Sequence, residues 1–91
     1  MAAKYIRMLT ETVCECVTAT NQTYVNALKE QGAFDEAAQK EAFRRTYEAV
    51  IKTLNGEVLN YLTEFYGDFE IALTTLIESN VATAYNRKWD D

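Results

Sequence analysis

Apolar residues recur every three or four positions along most of this chain, which is the spacing of one buried helix face. The first stripe comprises Ile6, Leu9, Val13, Cys16, Val17, Thr20, Tyr24 and Leu28. It predicts a helix over about residues 3–31, roughly 43 Å long at 1.5 Å per residue. Gly32 follows this stripe, and we expect it to end the helix in the left-handed conformation.

Three further stripes predict helices over about residues 36–54, 57–66 and 69–87. Asp35 and Asp68 precede the second and fourth helices as N-caps, whereas Asn55-Gly56 and Gly67 end the second and third. The residues expected to face inward are Phe43, Tyr47, Val50, Ile51 and Leu54, then Val58, Leu59, Leu62, Phe65 and Tyr66, then Phe69, Leu73, Leu76, Ile77, Val81 and Ala84. The pattern predicts a single all-α domain over residues 1–91, a small bundle of three to four helices with a long N-terminal helix.

Composition and charge narrow the classes of partner and location. The net charge of −5 argues against direct nucleic-acid binding, because phosphate neutralisation needs a surplus of Lys and Arg. A basic protein partner remains compatible with this charge. No run approaches the ~18 apolar residues of a membrane span, and the N-terminus lacks a signal-peptide core. We therefore expect no membrane span and a cytoplasmic location.

The residue types needed for catalysis are scarce. The 91 residues contain no His, so neither Cys14 nor Cys16 has the usual base for a nucleophile. Residues two apart on a helix point roughly 200° apart, which suits neither a disulfide nor a shared metal between these thiols. Two free thiols indicate a reducing compartment. The chain also lacks a Gly-rich phosphate loop. We expect no enzyme activity, no catalytic residue, no metal site and no cofactor.

Five Arg and Tyr residues are candidates for binding a small anionic ligand or an acidic partner: Arg44, Arg45, Tyr47, Tyr5 and Arg7. The planar guanidinium of Arg suits carboxylate and phosphate groups, and Tyr adds stacking and a hydroxyl. A second interpretation stands beside this one. Lys40, Arg44 and Glu48 are i,i+4 neighbours that stabilise an exposed helix face.

Six Tyr, four Phe and one Trp are many for a bundle of this size to bury. Interface candidates among them are Tyr61, Tyr66, Tyr85 and Trp89, because Tyr and Trp are favoured at the centres of protein interfaces. Together with the long first helix they predict self-association, with a homodimer as its simplest form. The alternative is that these rings lie half-buried with their hydroxyls in water.

Several short segments carry a family resemblance: NQTYV at residues 21–25, GAFDE at 32–36, Ala42-Phe43, YGDFE at 66–70 and LIE at 76–78. They resemble the soluble helical region of phage holins of the LLH class, from phages and prophages of Gram-positive bacteria. The shared motifs are Gln22-Thr23 near the end of a first helix and Ile77-Glu78-Ser79-Asn80-Val81 near the end of the last. The transmembrane helix of those proteins has no counterpart here. The resemblance implies a phage-derived helical module that associates with itself or with another protein.

These observations favour a non-enzymatic, phage-encoded helical binding protein, either an inhibitor of a host protein in counter-defence, in the manner of an anti-CRISPR, or an interaction module that acts on a host protein. Asp68, Glu70, Glu64 and Glu57 would compete with nucleic acid for a basic host site. One alternative is an oligomeric sponge that sequesters a nucleotide-like signal through Arg44, Arg45 and nearby Tyr residues. Another is a structural component of a phage lysis cassette.

Overall fold

The computed structural model describes residues 2–84, and the side chains of residues 2–81. The helical elements are α1 (Ala2–Thr20), a π-helical turn (Asn21–Val25), α2 (Asn26–Glu30), α3 (Glu36–Thr53), α4 (Gly56–Tyr66) and α5 (Phe69–Ala84). α1, the π-helical turn and α2 run without a break and are called the long helix. The described residues therefore form four helices and no strand, which confirms the all-α bundle with a long N-terminal helix.

Side-chain caps fix where three of the helices begin. The carboxylate of Asp35 accepts a hydrogen bond from the Ala38 N–H at 2.8 Å, and that of Asp68 accepts from the Ile71 N–H at 3.1 Å. Asn55 was expected to end the second helix, but its side-chain oxygen accepts from Val58 N–H at 2.9 Å. Asn55 thus begins α4, because its short acceptor satisfies one of the N–H groups that a helix start leaves without a partner.

Two tight turns depend on glycine. Gly32 has φ +68°, and the Ala33 N–H donates to the Leu28 carbonyl at 2.8 Å, which closes the end of α2. The left-handed conformation expected at Gly32 is confirmed. Gly67 has φ +78° and ψ −61°, and the Asp68 N–H donates to the Tyr66 carbonyl at 2.8 Å. These angles define a γ-turn with positive φ, which directs the chain from α4 into α5.

The long helix is the element around which the others pack, since α1 contacts α3, α4 and α5. Buried apolar residues join all four helices: Tyr5, Leu9, Val13, Cys16, Val17, Val25, Ala42, Val50, Leu54, Val58, Leu62, Phe69, Leu73, Ile77 and Val81. The described molecule measures 44 × 21 × 19 Å. Its longest dimension is therefore close to the length of roughly 43 Å expected of the long helix.

The face that α3 buries differs in part from the one its apolar stripe predicts: Val50 and Leu54 are buried as expected, but smaller residues take the positions predicted for the rings. Its buried residues include Ala38, Ala42 and Thr46, whereas Phe43 and Tyr47 are only half-buried. Small side chains four residues apart allow the two helices to approach closely, and the bulky rings lie beside the contact. Thr46 reaches the long helix directly, with its hydroxyl oxygen 2.8 Å from that of Thr20.

The π-helical turn changes the buried face of the long helix. The Asn26 N–H donates to the Asn21 carbonyl, a step of five residues instead of four. Beside it, the Asn21 side-chain amide donates to the Val17 carbonyl at 3.1 Å, and such side-chain bonds compete with the regular helix ladder. The wider turn advances the buried stripe by one residue. Val25 consequently occupies the core, and Tyr24, the residue predicted there, is half-buried.

Candidate functional site

The charged residues of the chain are distributed very unequally between its two parts. Residues 2–53 carry seven Lys or Arg and seven Asp or Glu, so their formal charges cancel. Residues 54–84, which contain α4 and α5, carry no Lys or Arg. Their five carboxylates are all exposed: Glu57, Glu64, Asp68, Glu70 and Glu78. The whole net charge of the described residues therefore lies on this part, which we call the acidic hairpin.

A continuous series of ring contacts begins and ends in the core and reaches the surface of the acidic hairpin in its middle. We call it the aromatic ladder, formed by Tyr5, Tyr61, Phe65, Tyr66 and Phe69. Tyr5 meets Tyr61 edge-on with ring centroids 4.8 Å apart, and Tyr61 stacks on Phe65 at 6.2 Å. Phe65 in turn meets Tyr66 edge-on at 5.1 Å. Its neighbours hold the Phe65 ring in place, so it loses little side-chain freedom when a partner covers it.

Phe65 is the middle and most exposed member of this ladder, with 50% of its surface accessible. The sequence placed it inward, but the core positions of α4 are taken by Val58 and Leu62, one turn apart. Phe65 and Ile71 are the large hydrophobic residues that the structure describes as exposed, and both lie on the acidic hairpin. Exposed apolar side chains and exposed carboxylates thus lie on the same two helices, an arrangement suited to a partner that is apolar at the contact and basic around it.

The Arg residues proposed to bind an anion already have carboxylate partners. Arg44 donates to both Glu41 carboxylate oxygens, at 3.0 and 2.6 Å, and to Glu48 at 2.8 Å. Arg45 Nε donates to Glu41 at 2.8 Å. The hydrogen bonds from Arg44, and then from Arg45, lower the pKa of Glu41 to about 2. An incoming anion would compete with two carboxylates that neutralise these two guanidinium groups.

The remaining members of the predicted binding set lie apart from one another. Arg45 lies over the ring of Tyr24, 4.0 Å from its centroid. Tyr5 precedes Tyr24 by 19 residues on the long helix, which separates them by about 28 Å. Arg7 is exposed near the Tyr5 end. Tyr5 itself is buried, because Tyr61 covers its ring.

Tyr47 faces the acidic hairpin and not Arg45, since residues two apart on a helix point about 200° apart. Burial raises the pKa of the Tyr47 phenol, and the charges of Glu70 and Asp68 raise it further. Of the predicted interface residues, Tyr61 and Tyr66 are half-buried members of the aromatic ladder. Tyr85 and Trp89 lie outside the described residues.

Among the residues that the structure describes, the other features provide fewer groups that could bind a ligand or react. A shallow cleft between α1 and α5 is lined by Thr10, Val13, Leu76, Ser79 and Asn80. Residues 2–84 contain no group of His, Cys, Asp or Glu that could hold a metal ion. Across the same residues, each helix is too short or too polar to cross a membrane.

Comparison with known proteins identifies no relative: no family model matches this chain, and neither a curated protein nor a solved structure does.

Proposed function

We propose that this chain is a non-enzymatic binding protein that docks its acidic hairpin onto a basic surface of another protein, with Phe65 as the central anchor. The observation that carries the proposal is the coincidence of two features on α4 and α5. The net negative charge is confined there, and the exposed, ring-supported Phe65 lies among those charges.

The two features have different physical roles in such a complex. Aromatic anchors at the centre of an interface dominate affinity, because their burial removes much apolar surface from water. Charges at the rim contribute little affinity in water, but they steer the encounter and fix orientation. Unpaired carboxylates also lose no ion pair on binding, and none of the three ion pairs among the described residues involves the acidic hairpin.

The biological setting of this proposal comes from the resemblance to phage holins. In that setting the proposed role is inhibition of a host protein in the cytosol as a counter-defence, with the carboxylates in the place of nucleic-acid phosphates. The nucleotide sponge receives less support, because Arg44 and Arg45 are engaged by Glu41 and Glu48. The lysis-cassette alternative has no specific observation in its favour.

The test begins with finding the partner and then measures binding with purified proteins. A photo-crosslinking phenylalanine analogue, which keeps the aromatic ring, replaces Phe65 in chains produced in Gram-positive cells, and the same analogue replaces exposed Glu15 on the charge-balanced part as a control. The protein crosslinked only from position 65 is identified and purified. Its affinity for the chain is then measured by calorimetry at low and high salt.

We expect Phe65→Ala to weaken this affinity by at least about 30-fold, equivalent to about 2 kcal/mol for an interface anchor. Phe34→Ala is the matched control, because Phe34 is a half-buried ring outside the acidic hairpin. It should change affinity less than about threefold. Equal crosslinking from both positions, or an affinity insensitive to both Phe65 and salt, would contradict the proposal.

A further inference from the structure

The side chains of α4 are arranged in a register that specifies the partner more closely. Glu57 and Glu64 are seven residues apart, which places them on one line of the helix, about 10.5 Å apart. Tyr61 and Phe65, four residues apart, form a second row beside them, inclined to the first, with their rings stacked. α4 therefore carries a line of exposed carboxylates alongside a row of two aromatic rings, of which Tyr61 is half-buried and Phe65 exposed.

We propose that a basic amphipathic helix of the partner packs along α4, which rests on the function proposed above. Helices that pack at a shallow angle keep residues spaced by seven in register along their contact. An apolar stripe on the incoming helix covers Tyr61 and Phe65. Lys or Arg residues seven positions apart on its flank then pair with Glu57 and Glu64, as flanking charges do in coiled coils.

The negative charge of the acidic hairpin disfavours other possible partners at this surface. A second copy of the chain would bring another five carboxylates against the first five, and like charges in contact are unfavourable. Nucleic acid and an anionic lipid surface are repelled for the same reason. A basic helix alone among these supplies both the apolar stripe and the opposite charge.

Synthetic peptides test this inference without knowledge of the natural partner. The register peptide is a helix of about 21 residues with a Leu stripe and flanking Lys every seven residues. A scrambled peptide has the same composition without the stripe. A third peptide, called the reversed peptide because its flanking charges are reversed in sign, has Glu in place of the flanking Lys. Affinities are measured by fluorescence anisotropy in low salt, and circular dichroism checks that each protein variant is folded.

We expect the register peptide to bind at least about tenfold more tightly than the scrambled one. Glu57→Lys with Glu64→Lys should weaken that binding at least about tenfold and favour the reversed peptide instead. The control is Glu11→Lys with Glu15→Lys, which changes the net charge equally on exposed α1 positions. It should leave the preference for the register peptide in place.

The outcomes separate this inference from the proposed function. Equal binding of register and scrambled peptides would overturn the helical register and leave basic-surface binding standing. The inference would also fail if the register peptide does not bind while the crosslinked partner still depends on Phe65. If Phe65→Ala weakens the binding of neither the register peptide nor the crosslinked partner, both the inference and the proposed function fail.

Discussion

The two thiols of α1 illustrate how far neighbouring residues can differ in chemistry. Cys14 is exposed, whereas Cys16 faces the core. Burial raises the pKa of Cys16, contact with the Thr53 side chain opposes that rise, and the charge of Glu15 adds to it. Since the thiolate is the reactive form, Cys16 behaves as a small core residue and Cys14 as a surface group.

This difference predicts two well-separated rates of thiol modification. At about pH 8, a maleimide or disulfide reagent should modify Cys14 in the native protein at least about tenfold faster than Cys16, whose pKa is raised and whose access is limited. Stopped-flow absorbance measures both phases. Cys14→Ser should remove the fast phase and Cys16→Ser the slow one. A fast phase that survives Cys14→Ser would show that Cys16 is open to solvent.

The cluster of Arg44, Arg45, Glu41 and Glu48 shows why residue types alone do not define a site. In sequence, adjacent Arg residues near a Tyr suggest an anion pocket. In the structure, each guanidinium donates to a carboxylate one helical turn away. The second interpretation of this segment, an exposed helix face with i,i+4 pairs, describes the geometry around Arg44. Such exposed pairs contribute little to stability in water.

At the scale of elements, the turn between α4 and α5 makes a specific demand on Gly67. Its φ of +78° lies where L side chains are strained, although a Cβ there would meet nothing within 4 Å. Gly67→Ala should therefore destabilise the fold by about 1–2 kcal/mol through backbone strain alone. Chemical denaturation measures the change.

Gly56 provides the matched control for this prediction. It also has open space around its Cβ position, but its φ is not positive and it is the first residue of α4. Gly56→Ala should leave stability unchanged or raise it by up to about 1 kcal/mol, because Ala restricts the unfolded chain. If the two substitutions had equal effects, the strain assigned to Gly67 would be wrong.

The elements themselves could be predicted from the sequence because their causes are local. Helical periodicity and the caps at Asp35 and Asp68 depend on neighbours within one or two turns. The face that α3 presents depends on close approach to a distant helix. Ala42 and Thr46 give a weaker hydrophobic signal than Phe43 and Tyr47, so the apolar pattern of the chain favours the rings.

The candidate site also combines a feature that can be predicted from the sequence with one that cannot. The absence of Lys and Arg between residues 54 and 84 can be read directly from the chain, and it marks the acidic hairpin. The exposure of Phe65 cannot be read from the chain. It follows from the burial of Val58 and Leu62 at the core positions of α4 and from the contact that Tyr5 of the long helix makes with Tyr61. The π-helical turn could not be predicted from the sequence either, because a prediction based on 3.6 residues per turn does not allow for its extra residue.

At the scale of the whole molecule, the charge distribution controls self-association. Phe65 is an apolar contact that two copies could share, but their acidic hairpins repel each other. Raising the salt concentration from about 0.1 M to about 1 M shortens the screening length from about 10 Å to about 3 Å. We expect any dimer formed through this face to become at least about tenfold more stable over that range.

Sedimentation velocity across a concentration series measures this effect. Phe65→Ala should abolish the salt-promoted dimer, whereas Phe34→Ala should not, because Phe34 lies outside the acidic hairpin. A dimer that is equally stable at both salt concentrations, or that survives Phe65→Ala, would place the self-association surface elsewhere. The homodimer expected from the aromatic content would then involve the charge-balanced part of the chain.

A molecule whose charge is confined to one region is an electric dipole as well as an anion. Near a positively charged support, such as an anion-exchange resin or an amine-coated sensor, it aligns with the acidic hairpin against the surface. Retention then exceeds what the net charge alone implies, and adsorption covers the residues proposed to meet a partner. A tether through Cys14, which is exposed in the charge-balanced part, leaves α4 free to face solution.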